Sequence, residues 1–517
     1  MKKIDCPTLR GWIGDGGELA LLDAREEGEF GASHLFWANP CPLSRAELRI
    51  PSLLPCKATR VVCVDDGRGL AETLAADLQA DGYTDVSVLE GGTPAWDAAG
   101  YVLFSGVNVP SKAFGEWIEH HFGTESVDAP DLNEWLHDGR DMVVLDSRTI
   151  EEYRRMSIPR GVSVPGGELA YRIGDLVPNP DTLIVVNCAG RTRSILGAES
   201  LRQAGVPNKV VALRNGTMGW ELAGLACARG QAAEFVPARP ATAALAMERA
   251  QAFAARSQVQ NLDEAGLAAL KADAGRTLYI LDVRDPVEFA AGHRADSVSA
   301  PGGQLVQATD TWIGVRGARV VVVDDDGVRA RMSAAWLRQM GHREVFVLQN
   351  ALTGALVTTS TPAALPAVRG IAATALAATK AVVIDLARSI EFRDGHIPGA
   401  LWGIRTRLAE LAPALARARL VVVTSPDGAL ARLAVAEVQA LTKAPVEALA
   451  GGTAAWRAAG LPLHRDRQVP PDTACVDFYL RPYDRNSGVE DAMKAYLSWE
   501  IDLVHEIERD GTVKFGV

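Results

Sequence analysis

Four times along this chain an apolar strand ends in aspartate, and six residues later comes glutamate followed by an aromatic residue. The copies are Asp23 with Glu29-Phe30, Asp146 with Glu152-Tyr153, Asp282 with Glu288-Phe289, and Asp385 with Glu391-Phe392. A repeat of this kind constrains the fold more than composition does, because each copy must bury its apolar face with the same local elements. About forty residues on, each copy has a second apolar run: Val61–Val64, Leu183–Val186, Val320–Val323 and Leu420–Val423. Each second run passes through a short loop into an Ala/Leu-rich helical pattern, and a third run follows, as at Val86–Leu89 and Val210–Leu213. Unbroken β-branched runs suit strands buried on both faces. Alternation with helices implies βαβ crossovers and a parallel sheet. The expectation is an α/β protein of four small domains in tandem, at 1–108, 109–237, 238–362 and 363–466, with a tail at 467–517 carrying a helix over Val489–Glu508. Asn486-Ser487 and Glu490-Asp491 suit the start of that helix. Linkers are expected at Gly106–Val109, Phe235–Ala241 and Thr358–Ala367.

Three copies close on Gly91-Gly92 with Trp96, Asn215-Gly216 with Trp220, and Gly451-Gly452 with Trp456; the third copy reads Gln349-Asn350-Ala351-Leu352 there. The glycines suit a tight turn and the tryptophans a packing anchor. Asp146 and Arg148 recur as Asp23/Arg25 and Asp282/Arg284, which marks a scaffold ion pair rather than catalysis.

Composition excludes several classes. The 517 residues are 48% hydrophobic and 23% charged with a formal charge of −11, and no basic run stands out, so nucleic acid is a poor partner. No apolar stretch follows Met1-Lys2-Lys3, and Ala363–Ile384 is broken by Pro366, Arg369 and Lys380, so neither a signal peptide nor a membrane span is expected. Seven cysteines at irregular spacing, without a Cys-x-x-Cys, make neither a disulfide framework nor a metal site. A reducing cytoplasm fits them, with no cofactor.

One loop carries chemistry. After the second strand, copy two reads Asn187-Cys188-Ala189-Gly190-Arg191-Thr192-Arg193-Ser194, whereas the cysteine position is Asp65, Asp324 and Ser425 in the other copies. Open α/β sheets bind ligands at the carboxyl ends of their strands. The backbone of Ala189, Gly190 and Thr192 is suited to curl into an anion nest, and the helix start adds its dipole. Arg191 and Arg193 add permanent charge. Together these predict a depressed Cys188 pKa and a nucleophilic thiolate. Cys63 and Cys227 read as buried and inert; Cys6, Cys41, Cys56 and Cys475 lack a basic neighbourhood, and no histidine is paired with Cys188 by any sequence argument.

The strand aspartate, the run Glu391-Phe392-x-x-Gly395-His396-Ile397-Pro398-Gly399-Ala400 and the Gly-Gly-x-x-x-Trp ending resemble the rhodanese-like family, over nearly everything from Leu21 to His464. Copy two departs from that run, reading Met156-Ser157-Ile158-Pro159-Arg160-Gly161. The resemblance implies a tandem array of four rhodanese-like domains, of which copy two alone is catalytic. It implies a sulfurtransferase taking sulfane sulfur from a small anionic donor, thiosulfate or a persulfide, onto Cys188 and passing it to a thiol or cyanide. Ala189, Gly190, Arg191, Thr192 and Arg193 would bind the donor. Phosphatases on the same scaffold need a loop one residue longer than Cys188–Arg193. A sulfur-relay or binding scaffold is the other alternative, given three copies without the cysteine. The order of inactive then active copies resembles two-domain rhodaneses, so repeat one is expected to wall the pocket over Cys188, with the apposed faces of repeats three and four as further candidates.

Overall fold

The same strand order occurs four times in the computed structural model, which describes residues 1–235, 239–359 and 364–516. In repeat two, five parallel strands run Ser126–Val127, Val210–Leu213, Leu183–Asn187, Met142–Asp146, Val162–Ser163 across the sheet. Repeats three and four repeat this order around Arg319–Val323 and Val421–Thr424. The β-branched second strands lie at the centre and are buried, as unbroken apolar runs require. Repeat one has the same parallel core around Arg60–Val64, but its sheet gains an antiparallel strand, Val315–Arg316, from repeat three. The fold is thus α/β, four small parallel sheets flanked by helices, with a helix in the C-terminal tail.

Two local expectations shift. The tail helix runs Val489–Asp510, and its N-cap is Gly488 in the left-handed region rather than Asn486 or Ser487. The expected linker at Gly106–Val109 ends on helix, because Val109–Phe122 begins at its last residue. The boundaries drawn at 237/238 and 362/363, in the other two linkers, lie outside the described residues.

Each first-strand aspartate of repeats one to three is buried and holds the arginine two residues on. The Arg25–Asp23, Arg148–Asp146 and Arg284–Asp282 contacts are 2.6, 2.7 and 2.7 Å. Each guanidinium also donates to a carbonyl ten residues after the aspartate, that of Ser33, Met156 or Gly292. The pair ties the strand to the next turn, so it is scaffold. The closing tryptophans also act in packing: Trp96, Trp220 and Trp456 are buried, and each Nε1 donates to a carbonyl six residues on.

Repeats two and three meet face to face. Gly166-Gly167 lies against Gly302-Gly303 so closely that a Cβ on Gly167 would stand 2.8 Å from the Gly303 nitrogen. Arg329, fully buried in repeat three, donates to Glu168 of repeat two at 2.8 Å and to Glu288 at 2.5 Å. Repeats one and four pair in parallel fashion, through Arg407–Glu29 and Arg405–Glu47, both at 2.8 Å. The partner of repeat two is therefore repeat three, not repeat one as the order along the chain suggests.

Candidate functional site

Cys188 ends the central strand of repeat two and precedes the helix Thr192–Gln203. The strand is steered by Asn187, whose side chain donates to Asp146 at 2.9 Å. The Cys188 side chain is 2% exposed, and its sulfur lies 3.5 Å from Ser194 Oγ, which itself donates to the Arg191 carbonyl.

The other repeats reveal what this loop binds. In repeat one the Asp65 carboxylate accepts from the backbone N–H groups of Gly67, Leu70 and Ala71 at 2.8, 2.7 and 3.3 Å. In repeat three Asp324 accepts from Gly327 and Ala330 at 2.6 and 3.0 Å. Twice, then, the loop's N–H groups close on a carboxyl supplied by its own first residue, Asp324 being pushed up to about 7 by burial, while in repeat four Ser425 Oγ accepts from Ala431. Cys188 occupies this position in repeat two, where the anion would be a thiolate or a persulfide.

The two loop arginines are spoken for. Arg191 is buried and donates to both oxygens of Glu116 at 2.8 Å, to Glu119 and to Asn215. Arg193 donates to both Glu152 oxygens at 2.6 and 2.7 Å. Burial pushes Glu152 up, but Arg193 and Arg148 outweigh it and bring the carboxyl down to about 2. The expected depression of the Cys188 pKa is not found. Burial drives it above the ordinary thiol value, Arg193 and the Ser194 hydroxyl pull it back only in part, and Glu500 adds to the rise.

Cys188 opens into a cavity of ≈ 230 Å³, whose far wall comes from outside repeat two. Repeat three contributes Gln304 and Gln307, and the tail contributes Arg481, Tyr483, Asp484, Tyr496 and Glu500. Repeat one adds only its last residue, Asn108, and repeat four adds nothing among the described lining residues. Of the expected walls, repeat three is found, repeat one is reduced to Asn108, repeat four is not found among the described lining residues, and the tail is an addition.

The tail docks on this loop by apolar and polar contacts together. Met493 and Leu497 pack on Met218, and Tyr483 shares a 3.2 Å hydrogen bond with Thr217. Buried Glu500 accepts from the hydroxyls of Thr192 at 3.2 Å and Tyr496 at 3.1 Å, and Lys112 lies 3.5 Å away. A Cβ on Gly190 would come 3.0 Å from Glu500 Oε2 and 3.2 Å from the Tyr496 ring, so the tail packs tightly on this position. Burial lowers the Lys112 pKa, with Glu500 opposing. Arg481 is exposed at the mouth, and its guanidinium makes no ion pair or hydrogen bond among the described residues.

All five expected binding residues line the cavity with Cys188. Lys112, Gln304, Gln307, Arg481, Tyr496 and Glu500 escape a reading of the sequence. The one available signal is the aromatic and basic run Phe478-Tyr479-Leu480-Arg481-Pro482-Tyr483 ahead of the tail helix. Burial pushes the Cys63 thiol well up, and half-buried Cys227 up to about 12. No helix among the described residues is long and apolar enough to cross a membrane.

A family model for the rhodanese-like domain matches residues 7–99, 128–223 and 264–355. No curated protein sequence matches the chain. Among solved structures, a thiosulfate sulfurtransferase from Pseudomonas aeruginosa is similar at 45% identity with a TM-score of 0.93, covering 100% of both chains. A rhodanese-related protein from Thermoplasma volcanium is 29% identical over 20% of this chain and 97% of its own, with a TM-score of 0.18. A rhodanese-like domain from Anabaena is 24% identical over 20% of this chain and 78% of its own, with a TM-score of 0.19.

Proposed function

The chain belongs to the rhodanese-like family, and from that premise we propose that it is a thiosulfate-type sulfurtransferase working through a Cys188 persulfide. The Cys188 thiolate attacks the sulfane sulfur of thiosulfate; a sulfur–sulfur bond forms to Cys188, and sulfite leaves with the electron pair of the broken bond. A thiolate or cyanide then takes the outer sulfur, and the bonding pair returns to Cys188 as thiolate. The observation that carries this reading is the loop cradle, which binds carboxylate in repeats one and three and presents sulfur in repeat two. Backbone N–H groups aimed at a developing anion stabilise it without reorganisation.

Arg191 and Arg193 shape the loop through Glu116 and Glu152, and the donor's sulfonate end meets Arg481 and Lys112 at the cavity mouth. The wall of repeat three and the tail shields the persulfide from water and stray thiols. Three loops with no cysteine leave their repeats without a nucleophile at this position, so turnover falls to repeat two alone. The loop, one residue shorter than phosphate binding requires, does not favour a phosphatase. The free cysteines fit a reducing cytoplasm.

The test is turnover of thiosulfate with cyanide. Cys188→Ser is expected to abolish it, and Cys63→Ser and Cys227→Ser to leave it within about twofold, since neither thiol lies in a cradle. Retained turnover in Cys188→Ser would overturn the proposal.

A further inference from the structure

In repeats one to three the first-strand aspartate is neutralised by an arginine two residues on, but in repeat four that residue is Ala387. The next residue, Arg388, does not compensate, since it turns to Glu27 of repeat one at 3.4 Å. Asp385 is 1% exposed; its Oδ1 accepts from the Ala387 N–H at 2.9 Å, and its Oδ2 has no hydrogen-bond partner. A buried carboxylate oxygen without a donor is costly, by the full desolvation of that atom. Burial accordingly pushes this carboxyl up to about 6.

Asp385 and Ala387 line a cleft of ≈ 810 Å³, well within the range that holds small-molecule ligands. Gly395, whose carbonyl corresponds to those that receive the guanidinium in repeats one to three, lines it as well. So do Arg457, Arg465 and Arg467, exposed arginines that make no ion pair or side-chain hydrogen bond among the described residues. The cleft also carries the exposed carboxylates of Glu391 and Asp394, so it attracts no bare anion; it is dipolar.

We propose that repeat four is a binding site for a small guanidino acid, whose guanidinium takes the place on Asp385 that Arg25, Arg148 and Arg284 take in their own repeats, and whose carboxylate meets Arg457, Arg465 and Arg467. The fork of a guanidinium matches a carboxylate at two points, a geometry this chain builds three times within itself. The site is separate from the Cys188 cavity and is independent of the sulfurtransferase reading.

The experiment is calorimetric titration of the full chain at neutral pH with free arginine, citrulline and agmatine at up to millimolar concentration. Arginine is expected to bind. Citrulline, with a neutral ureido group, and agmatine, without the carboxylate, are each expected to bind at least tenfold more weakly. Ala387→Arg, which supplies the guanidinium from within, is expected to abolish arginine binding and keep sulfur-transfer turnover. Should that variant fail to fold, Asp385→Asn is expected to weaken arginine at least tenfold. Equal binding of arginine and either analogue, no binding of arginine, or unchanged binding in the folded variant would overturn the site.

Discussion

Cys188 is held behind two cancelled charges. Arg193 faces Glu152 and Arg191 faces Glu116 and Glu119, so the loop delivers less positive potential to the sulfur than its two arginines suggest. Burial then dominates, and the thiol is raised rather than lowered. Below its pKa the thiolate fraction grows tenfold per pH unit, so alkylation of free Cys188 by iodoacetamide should keep accelerating through pH 9; a plateau below pH 8 would contradict the burial account. In the proposed reaction the donor's anion is met by Arg481 at the mouth. Arg481→Ala is expected to raise the Michaelis constant for thiosulfate about tenfold, or ~1.4 kcal/mol, with little change in kcat. An unchanged constant would assign Arg481 to the surface. The loop's place and the scaffold pair were legible in the sequence because they recur at fixed offsets, and Cys188 because it stands where the other copies have Asp65, Asp324 and Ser425. The carboxylate partners were not: Thr192 and Glu500 are 308 residues apart, and no local pattern couples them.

The tail helix shows what an element can and cannot say about itself. Its apolar stripe, with Met493, Leu497, Leu503 and Ile507 buried, follows helical spacing and was readable as a helix. The stripe announces burial without naming the surface that receives it, so the docking onto Val109–Phe122 and the catalytic loop was not readable. Leu503 is fully buried. Leu503→Ala should cost about 3 kcal/mol by transfer and cavity terms together. If the tail closes the site, hydrogen exchange in the tail should rise first, and the thiosulfate Michaelis constant should rise with it. Faster exchange with unchanged kinetics would separate the tail from catalysis.

At the scale of the whole molecule, four copies of one sheet assemble with two facing three and one facing four, while the strand Val315–Arg316 of repeat three joins the sheet of repeat one. The copies were visible in the sequence through the spacing of their aspartates and strands. Their pairing was not, because repeat two has a chain neighbour on either side and the contacts rest on residues such as Gly167, Gly303 and Arg329 that carry no repeat signal. Arg329 joins repeat two to its partner through Glu168. Arg329→Ala removes the cross-interface donor from Glu168, whose other oxygen keeps Arg172 at 2.6 Å, and is expected to cost roughly 1–3 kcal/mol, read as a lower urea midpoint. A loss under about 1 kcal/mol would show the pair to be replaceable. The proposed chemistry rests on one sulfur atom. Peptide mass spectrometry after incubation with thiosulfate, with all seven cysteines covered, tests that most directly. The expected result is a single added sulfur on the Cys188 peptide, removed by cyanide, and none elsewhere; an unmodified Cys188, or the sulfur on another cysteine, would contradict the account.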